Sequence, residues 1–155
     1  MPVFSIRKTL LSSPEPRNSA RAFLDEGRWD KVYNALQPGD FVLIQFGHND
    51  AGDINKGKAR AELRGSGDES KVFLMEKTGK YQVVYTFGWY LRKFIMDVQE
   101  KGAIPIVLSH TPRNKWKDGK IERNTESFSG YLMAIGVGTE CGRLHAEQFL
   151  HLLGQ

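Results

Sequence analysis

Two short apolar segments, each preceded by an amphipathic helical pattern, constrain the fold of this chain most. They are residues 41–46, which read FVLIQF, and residues 103–108, which read AIPIVL. Apolar runs of this length without polar alternation are typical of strands buried on both faces. Alternation of helices with such strands predicts an α/β fold with a parallel sheet covered on both faces.

The helical patterns place apolar residues at i, i+3, i+4 and i+7. One covers residues 29–36, and a stronger one covers residues 87–98, where Thr86 is placed as an N-cap. A third covers residues 128–135 and predicts a helix that begins near residue 124. Residues 51–80 form a long polar insertion with several glycines, which we interpret as a loop and a candidate ligand-facing lid.

Composition sets limits on the class of protein. The 155 residues, 40% hydrophobic and 26% charged, fit a single soluble-type domain over residues 1–155. No apolar run approaches the length of about 18 residues that spans a bilayer, so we expect no membrane partner. The net charge of +4 comes from interspersed charges of both signs, which predicts a solvated surface and no nucleic-acid partner.

The sequence contains no clear signal for a metal site, an internal disulfide or export. Cys141 is the single cysteine, and no cluster of His, Asp and Cys has metal-ligand spacing, so we expect no metal or other cofactor. The first eleven residues carry Arg7 and Lys8 among their apolar residues, which is not a normal signal peptide. The localisation therefore stays unknown from the sequence.

Candidate site residues follow the two predicted strands. In open parallel sheets, ligands bind beyond the carboxyl ends of the strands, where residues 47–50 (GHND) and 110–114 (HTPRN) are expected to lie. A glycine lets the backbone approach a ligand closely, and an asparagine amide can donate to a developing oxyanion. On spacing alone this signal is weak, because glycine and asparagine are also ordinary turn residues.

Longer strings make the signal specific. They resemble the SGNH (GDSL-type) hydrolases and, within them, the rhamnogalacturonan acetylesterase group. The resemblance runs from about Ser19 to Ser129. The matching strings are residues 23–32, 38–40, 42–50, 86–92, 102–109, 111–114 and 123–126.

The resemblance implies a three-layer α/β/α sandwich of flavodoxin-like topology and hydrolysis of acetyl esters on pectic polysaccharide, with an acetylated acidic polysaccharide as partner. Such enzymes use the serine of a GDS element, a C-terminal Asp-x-x-His and an oxyanion hole. By motif match, Asn49 is the oxyanion-hole amide and Gly47 begins that element. Asp50 ends it, and an aspartate there can hold the loop by accepting backbone N–H bonds.

Further residues are assigned to substrate binding. Besides Asp50 they are His48, Arg113, Asn114 and Trp116. The guanidinium of Arg113 suits a carboxylate of an acidic polysaccharide, and Trp116, between two lysines, is a candidate platform for a sugar ring. An ordinary solvated loop is an equally good interpretation of Arg113 and Asn114, and His48 can instead orient the loop.

The chain departs from the family pattern in ways that bear on activity. It contains no Gly-Asp-Ser and no Asp-x-x-His, and Arg17 stands where the family has an oxyanion-hole glycine. We therefore expect a chain that lacks the first strand and the C-terminal end of the family, with impaired esterase activity. A sheet without an inner strand exposes an apolar edge, which predicts self-association.

Two alternatives remain. The chain could be a non-catalytic α/β module that binds polysaccharide through Asn49, Arg113 and Trp116. A flavodoxin-like nucleotide binder is a weaker interpretation, because no glycine-rich, phosphate-cradling helix start is present.

Overall fold

A computed structural model describes residues 18–108, 116–121 and 142–144. Within them, three helices and seven strands follow one another along the chain. In order, they are α1 (Ala20–Asp25), α2 (Arg28–Ala35), β1 (Phe41–Ile44), β2 (Ser70–Leu74), β3 (Tyr81–Tyr85), α3 (Phe87–Glu100), β4 (Ile104–Leu108), β5 (Trp116–Lys117), β6 (Lys120–Ile121) and β7 (Gly142–Leu144).

A parallel three-stranded sheet with the order β1-β4-β7 forms the centre of the described fold. In its register, Phe41 lies opposite Ile104 and Ile106 lies opposite Gly142. Parallel pairing of strands separated by a helix confirms the predicted α/β fold with a mostly parallel sheet. The two predicted apolar strands are β1 and β4, each within two residues of its predicted limits.

Helix α3 supplies the centre of the core. Its residues Leu91, Phe94 and Ile95 are fully buried, and they pack with residues of α1, α2, β1 and β4. The ring of Phe94 lies 4.5 Å from that of Trp29 on α2, and the Trp29 indole donates to Asp97 over 2.8 Å. This packing fixes the three helices against the face of β1 and β4.

The helix prediction for residues 87–98 is confirmed, including its start. The Thr86 hydroxyl accepts a hydrogen bond from the backbone N–H of Trp89 over 3.2 Å, as an N-cap does. The prediction for residues 29–36 is confirmed as α2.

The prediction of a loop throughout residues 51–80 is wrong at its C-terminal end. Strands β2 and β3 form an antiparallel hairpin in which Val72 pairs with Val83 and Leu74 with Tyr81. Strand β2 has only three apolar residues, which follow Ser70 and Lys71 without alternation, so its sequence shows no strand pattern. Gly79 with φ of 63° supplies the turn. Residues 65–67 precede the hairpin in the sequence. The Arg92 guanidinium holds this segment by donating to the carbonyl of Gly67 over 2.6 Å.

Strand β1 is less enclosed than predicted. We expected a strand with both faces buried, but it pairs only with β4 among the described strands, and Phe41 is 45% exposed. The physical reason is that no described strand covers its second edge, so the side chains at its start lack a neighbour there.

Several predictions fall outside the described residues. These are the site residues in 110–114 and the helix predicted to begin near residue 124. Within the described part of the chain, no helix is both long and apolar enough to cross a bilayer. The same residues contain no group of three or more side chains able to hold a metal ion.

Among the described strands β1 has one unpaired edge, which generates a test of self-association. A lysine at an edge strand opposes pairing with another chain, so Phe41→Lys should lower the apparent mass at high protein concentration. Size-exclusion chromatography with light scattering across a concentration series would measure this. Leu74→Lys, at a similarly exposed position of the hairpin (48%), is the matched control and should leave the association of the wild type unchanged. A monomeric wild type would refute the prediction.

Candidate active site

Asp50 holds the loop that follows β1. Its side chain has no exposed surface, and its two oxygens accept from two different backbone N–H groups. One is that of Gly47, three residues earlier, over 2.6 Å, and the other is that of Ala20 at the start of α1, over 2.7 Å. The carboxylate therefore closes the turn of residues 47–50 and ties it to α1. Gly47 has φ of 126°, a conformation that favours glycine.

Asn49 lies half-buried in the same loop, and its amide has a defined partner. The side-chain oxygen Oδ1 accepts a hydrogen bond from Nη2 of Arg60 over 3.0 Å. With Oδ1 engaged in this way, the Nδ2 hydrogens are the end of the amide that is available to an acceptor.

The start of α1 and the segment around Arg60 are joined by Ser19. Its side chain is fully buried and caps α1 by accepting from the backbone N–H of Ala22 over 3.1 Å. The same hydroxyl donates to the backbone carbonyl of Arg60. One buried side chain thus fixes Arg60 relative to the helix that Asp50 also contacts.

Glu62 is a buried acid next to this arrangement. It is 3% exposed and lies against Asp50 and Arg21. Burial raises the pKa of Glu62 well above its ordinary value of 4.5, and the adjacent Asp50 raises it further, whereas the charge of Arg21 lowers it. The protonated carboxyl of Glu62 is therefore favoured, and its proton can be shared with Asp50.

Four of the predicted site residues lie in one loop, and a fifth lies in another element. Gly47, His48, Asn49 and Asp50 form one loop at the carboxyl end of β1, as predicted. Trp116 lies in β5 of a separate two-stranded sheet and is 63% exposed, as a surface platform would be. Arg113 and Asn114 lie outside the described residues, as do Arg17 and His110.

The burial of Asp50 favours one of its two predicted roles. Its oxygens are both occupied by backbone N–H groups and it has no exposed surface, so it holds the loop. The contact with substrate that we also assigned to it does not fit this burial. His48 is half-buried, and its assignment to substrate binding stays a prediction.

Sequence reasoning missed three residues of this site. Arg60 and Glu62 belong to the interspersed charges that we predicted to be solvated, but Glu62 is buried and Arg60 contacts Asn49. Interspersed lysines and acids around residues 56–71 look like a solvated face, and no periodicity marks these two members. Arg21, which is also buried, was given no role.

Comparison with curated proteins identifies relatives of one kind. Over 113 residues the chain is 36% identical to the rhamnogalacturonan acetylesterase of Emericella nidulans, covering 73% of this chain and 45% of the relative. It is 27% identical over 118 residues to the probable rhamnogalacturonan acetylesterase YesY of Bacillus subtilis, and 27% identical to the rhamnogalacturonan acetylesterase RhgT of the same organism. The chain thus spans less than half the length of these relatives. No family model matches the chain.

A solved structure supports the fold. The crystal structure of the Bacillus subtilis protein YxiM superposes with a TM-score of 0.56 at 17% identity, covering 82% of this chain and 29% of that one. At this identity the likeness concerns the fold alone.

The buried acid generates a prediction about stability and pH. Folded Glu62 keeps its proton at pH values where the unfolded chain releases it, so the free energy of unfolding should fall as the pH rises above 4.5. In Glu62→Gln the side chain is neutral at every pH and its amide can still donate to Asp50, so this decrease should become smaller. Urea unfolding of both proteins at a series of pH values from 4 to 8 measures the difference.

Glu69→Gln is the control for that experiment, because Glu69 is an exposed acid close by in the sequence. It should keep the pH dependence of the wild type. An unchanged slope in Glu62→Gln would show that Glu62 does not retain a proton in the folded chain.

Proposed function

Since this chain is a rhamnogalacturonan acetylesterase-like homologue of the SGNH-type hydrolases, we propose that its site serves the hydrolysis of acetyl esters on pectic polysaccharide. The observation that carries the proposal is the loop at the end of β1. There Asn49 is half-buried next to Asp50, which holds the loop, and Oδ1 of Asn49 accepts a hydrogen bond from Arg60. That leaves an amide donor for an acyl oxygen.

The proposed chemistry of this loop is stabilisation of charge. When a nucleophile attacks an acetyl ester, the carbonyl oxygen becomes an oxyanion, and fixed N–H donors stabilise it more than they stabilise the ester. Asn49 is proposed to supply one such donor through Nδ2. A donor that is already oriented needs no reorganisation at the moment of reaction, which is the source of its effect on rate.

The remaining parts of a serine esterase are not assigned to any residue. The 155 residues contain neither Gly-Asp-Ser nor Asp-x-x-His, so no nucleophile or acid–histidine pair has a matching position. We therefore propose that the chain retains the oxyanion element and releases acetate much more slowly than its relatives. The acidic polysaccharide proposed as substrate suits the net charge of +4.

Acetate release tests both parts of the proposal. We expect turnover on acetylated rhamnogalacturonan and on a nitrophenyl acetate to lie far below that of the Emericella nidulans relative assayed beside it. Any release that is measured should fall about 100-fold in Asn49→Ala, because one oxyanion donor is lost. Asn34→Ala, at an exposed position of α2, is the matched control and should leave the rate unchanged.

The outcomes separate the two parts. Turnover equal to that of the relative would refute the impairment. Release that is unaffected by Asn49→Ala would refute the oxyanion role of Asn49.

A polysaccharide-binding module without turnover is the second candidate, and the exposure of Trp116 favours it. An aromatic ring that is mostly exposed between two lysines offers a flat apolar face to a sugar. Retention on a pectin column without acetate release, lost in Trp116→Ala, would support this function over the first.

A further inference from the structure

We propose that Arg60 is a positioning residue that sets the orientation of the Asn49 amide. The inference rests on the proposed function in one respect only, namely that the oriented amide serves an oxyanion. The orientation itself is a property of the folded chain and is testable without substrate.

The argument begins with the chemistry of the two groups. An asparagine amide is nearly symmetric in shape, and its oxygen and nitrogen ends differ only in whether they accept or donate. An oxyanion requires the nitrogen end. The arginine guanidinium carries five donors and no acceptor, so a side chain in contact with it must present its oxygen. The 3.0 Å contact from Nη2 of Arg60 to Oδ1 of Asn49 therefore fixes which end of the amide faces away.

Arg60 can perform this role because its backbone is held from three sides. Ser19 donates to the Arg60 carbonyl, and the guanidinium of the buried Arg21 donates to the carbonyl of Ala59. The next residue, Ala61, is buried and its N–H donates to the Asp53 carbonyl over 3.4 Å. Ala59 itself has φ of 48°, an uncommon conformation for a residue with a Cβ, and these surrounding bonds hold it there.

The backbone of the loop and the side chain of Asn49 are therefore fixed by different contacts. Asp50 fixes the backbone of the loop through Gly47 and Ala20, whereas Arg60 fixes the side chain of Asn49. Removing the guanidinium should free the amide without releasing the loop. This separation of backbone from side chain is what an experiment can detect.

The test uses the orientation of the Asn49 amide, measured by NMR in the isotopically labelled full chain as three-bond couplings from Hβ and Cα to Nδ2, which report the rotamer about the Cβ–Cγ bond. Arg60→Met keeps the length of the side chain and removes every donor, and Arg60→Lys keeps a charged donor. We expect one rotamer in the wild type, averaging over rotamers in Arg60→Met, and recovery of one rotamer in Arg60→Lys. Arg64→Met is the matched control at an exposed arginine and should resemble the wild type.

The outcomes decide the proposal even where one variant does not fold. A single rotamer in Arg60→Met, or rotamer averaging in the wild type, would overturn it. If Arg60→Met is unfolded, averaging in a folded Arg60→Lys would also overturn it, and retention of one rotamer there would support it.

A kinetic measurement adds the link to function. Where acetate release is measurable, Arg60→Met should lower kcat about tenfold or more with little change in KM, because the oriented amide acts in the transition state. Rotamer averaging without any effect on kcat would leave the positioning role intact and refute the oxyanion role of Asn49. The failure of the proposed function is thereby distinguished from the failure of this inference.

Discussion

The hydrogen bonds of a single buried carboxylate, that of Asp50, determine the shape of the candidate site. A buried carboxylate is costly unless donors satisfy it, and here the donors are two backbone N–H groups that are distant in the sequence. One belongs to the loop after β1 and the other to the first residue of α1. Replacing Asp50 by an apolar residue would leave the buried N–H of Ala20 and the half-buried N–H of Gly47 without this acceptor, so the loop and the helix both depend on the Asp50 carboxylate.

The packing of the core determines where the hydrogen bonds of Asp50 can form. Helix α3 buries Phe94 against α2 and the sheet, and the indole of Trp29 bonds to Asp97 inside that interface. The Asp97 carboxylate also contacts Lys93 over 2.7 Å, so its charge is balanced. Together these contacts hold α1 and α2 beside β1, which brings Ala20 within reach of Asp50.

The sequence predicted the fold better than it predicted the site. Residues 87–98 and the two apolar strands were found because burial imposes a periodicity that survives in a single sequence. The hairpin of β2 and β3 was missed because β2 has three consecutive apolar residues after Ser70 and Lys71, and two of them, Val72 and Leu74, are exposed, so no alternation of apolar and polar residues is visible.

At the site, the loop of residues 47–50 was predicted from a motif. Arg60 and Glu62 were not predicted, because a charged residue that turns inward leaves no pattern among charged neighbours. Their roles depend on contacts across the fold, such as the one between Arg60 and Asn49. The resemblance to a family pointed to Asn49, whereas the contact of Arg60 with its side chain is visible only in the folded structure.

The pairing of β1 with β4 also has a consequence for the order of folding. Phe41 meets Ile104 only after all the intervening chain, including the hairpin and α3, has been brought back across the sheet. The hairpin itself closes between neighbouring residues, an event of microseconds in general, whereas a distant parallel pair must first overcome the entropy of a long loop. The pairing of β1 with β4 is therefore the contact with the larger cost in loop-closure entropy, and the loop bearing Asn49 follows the strand that this closure places in the sheet.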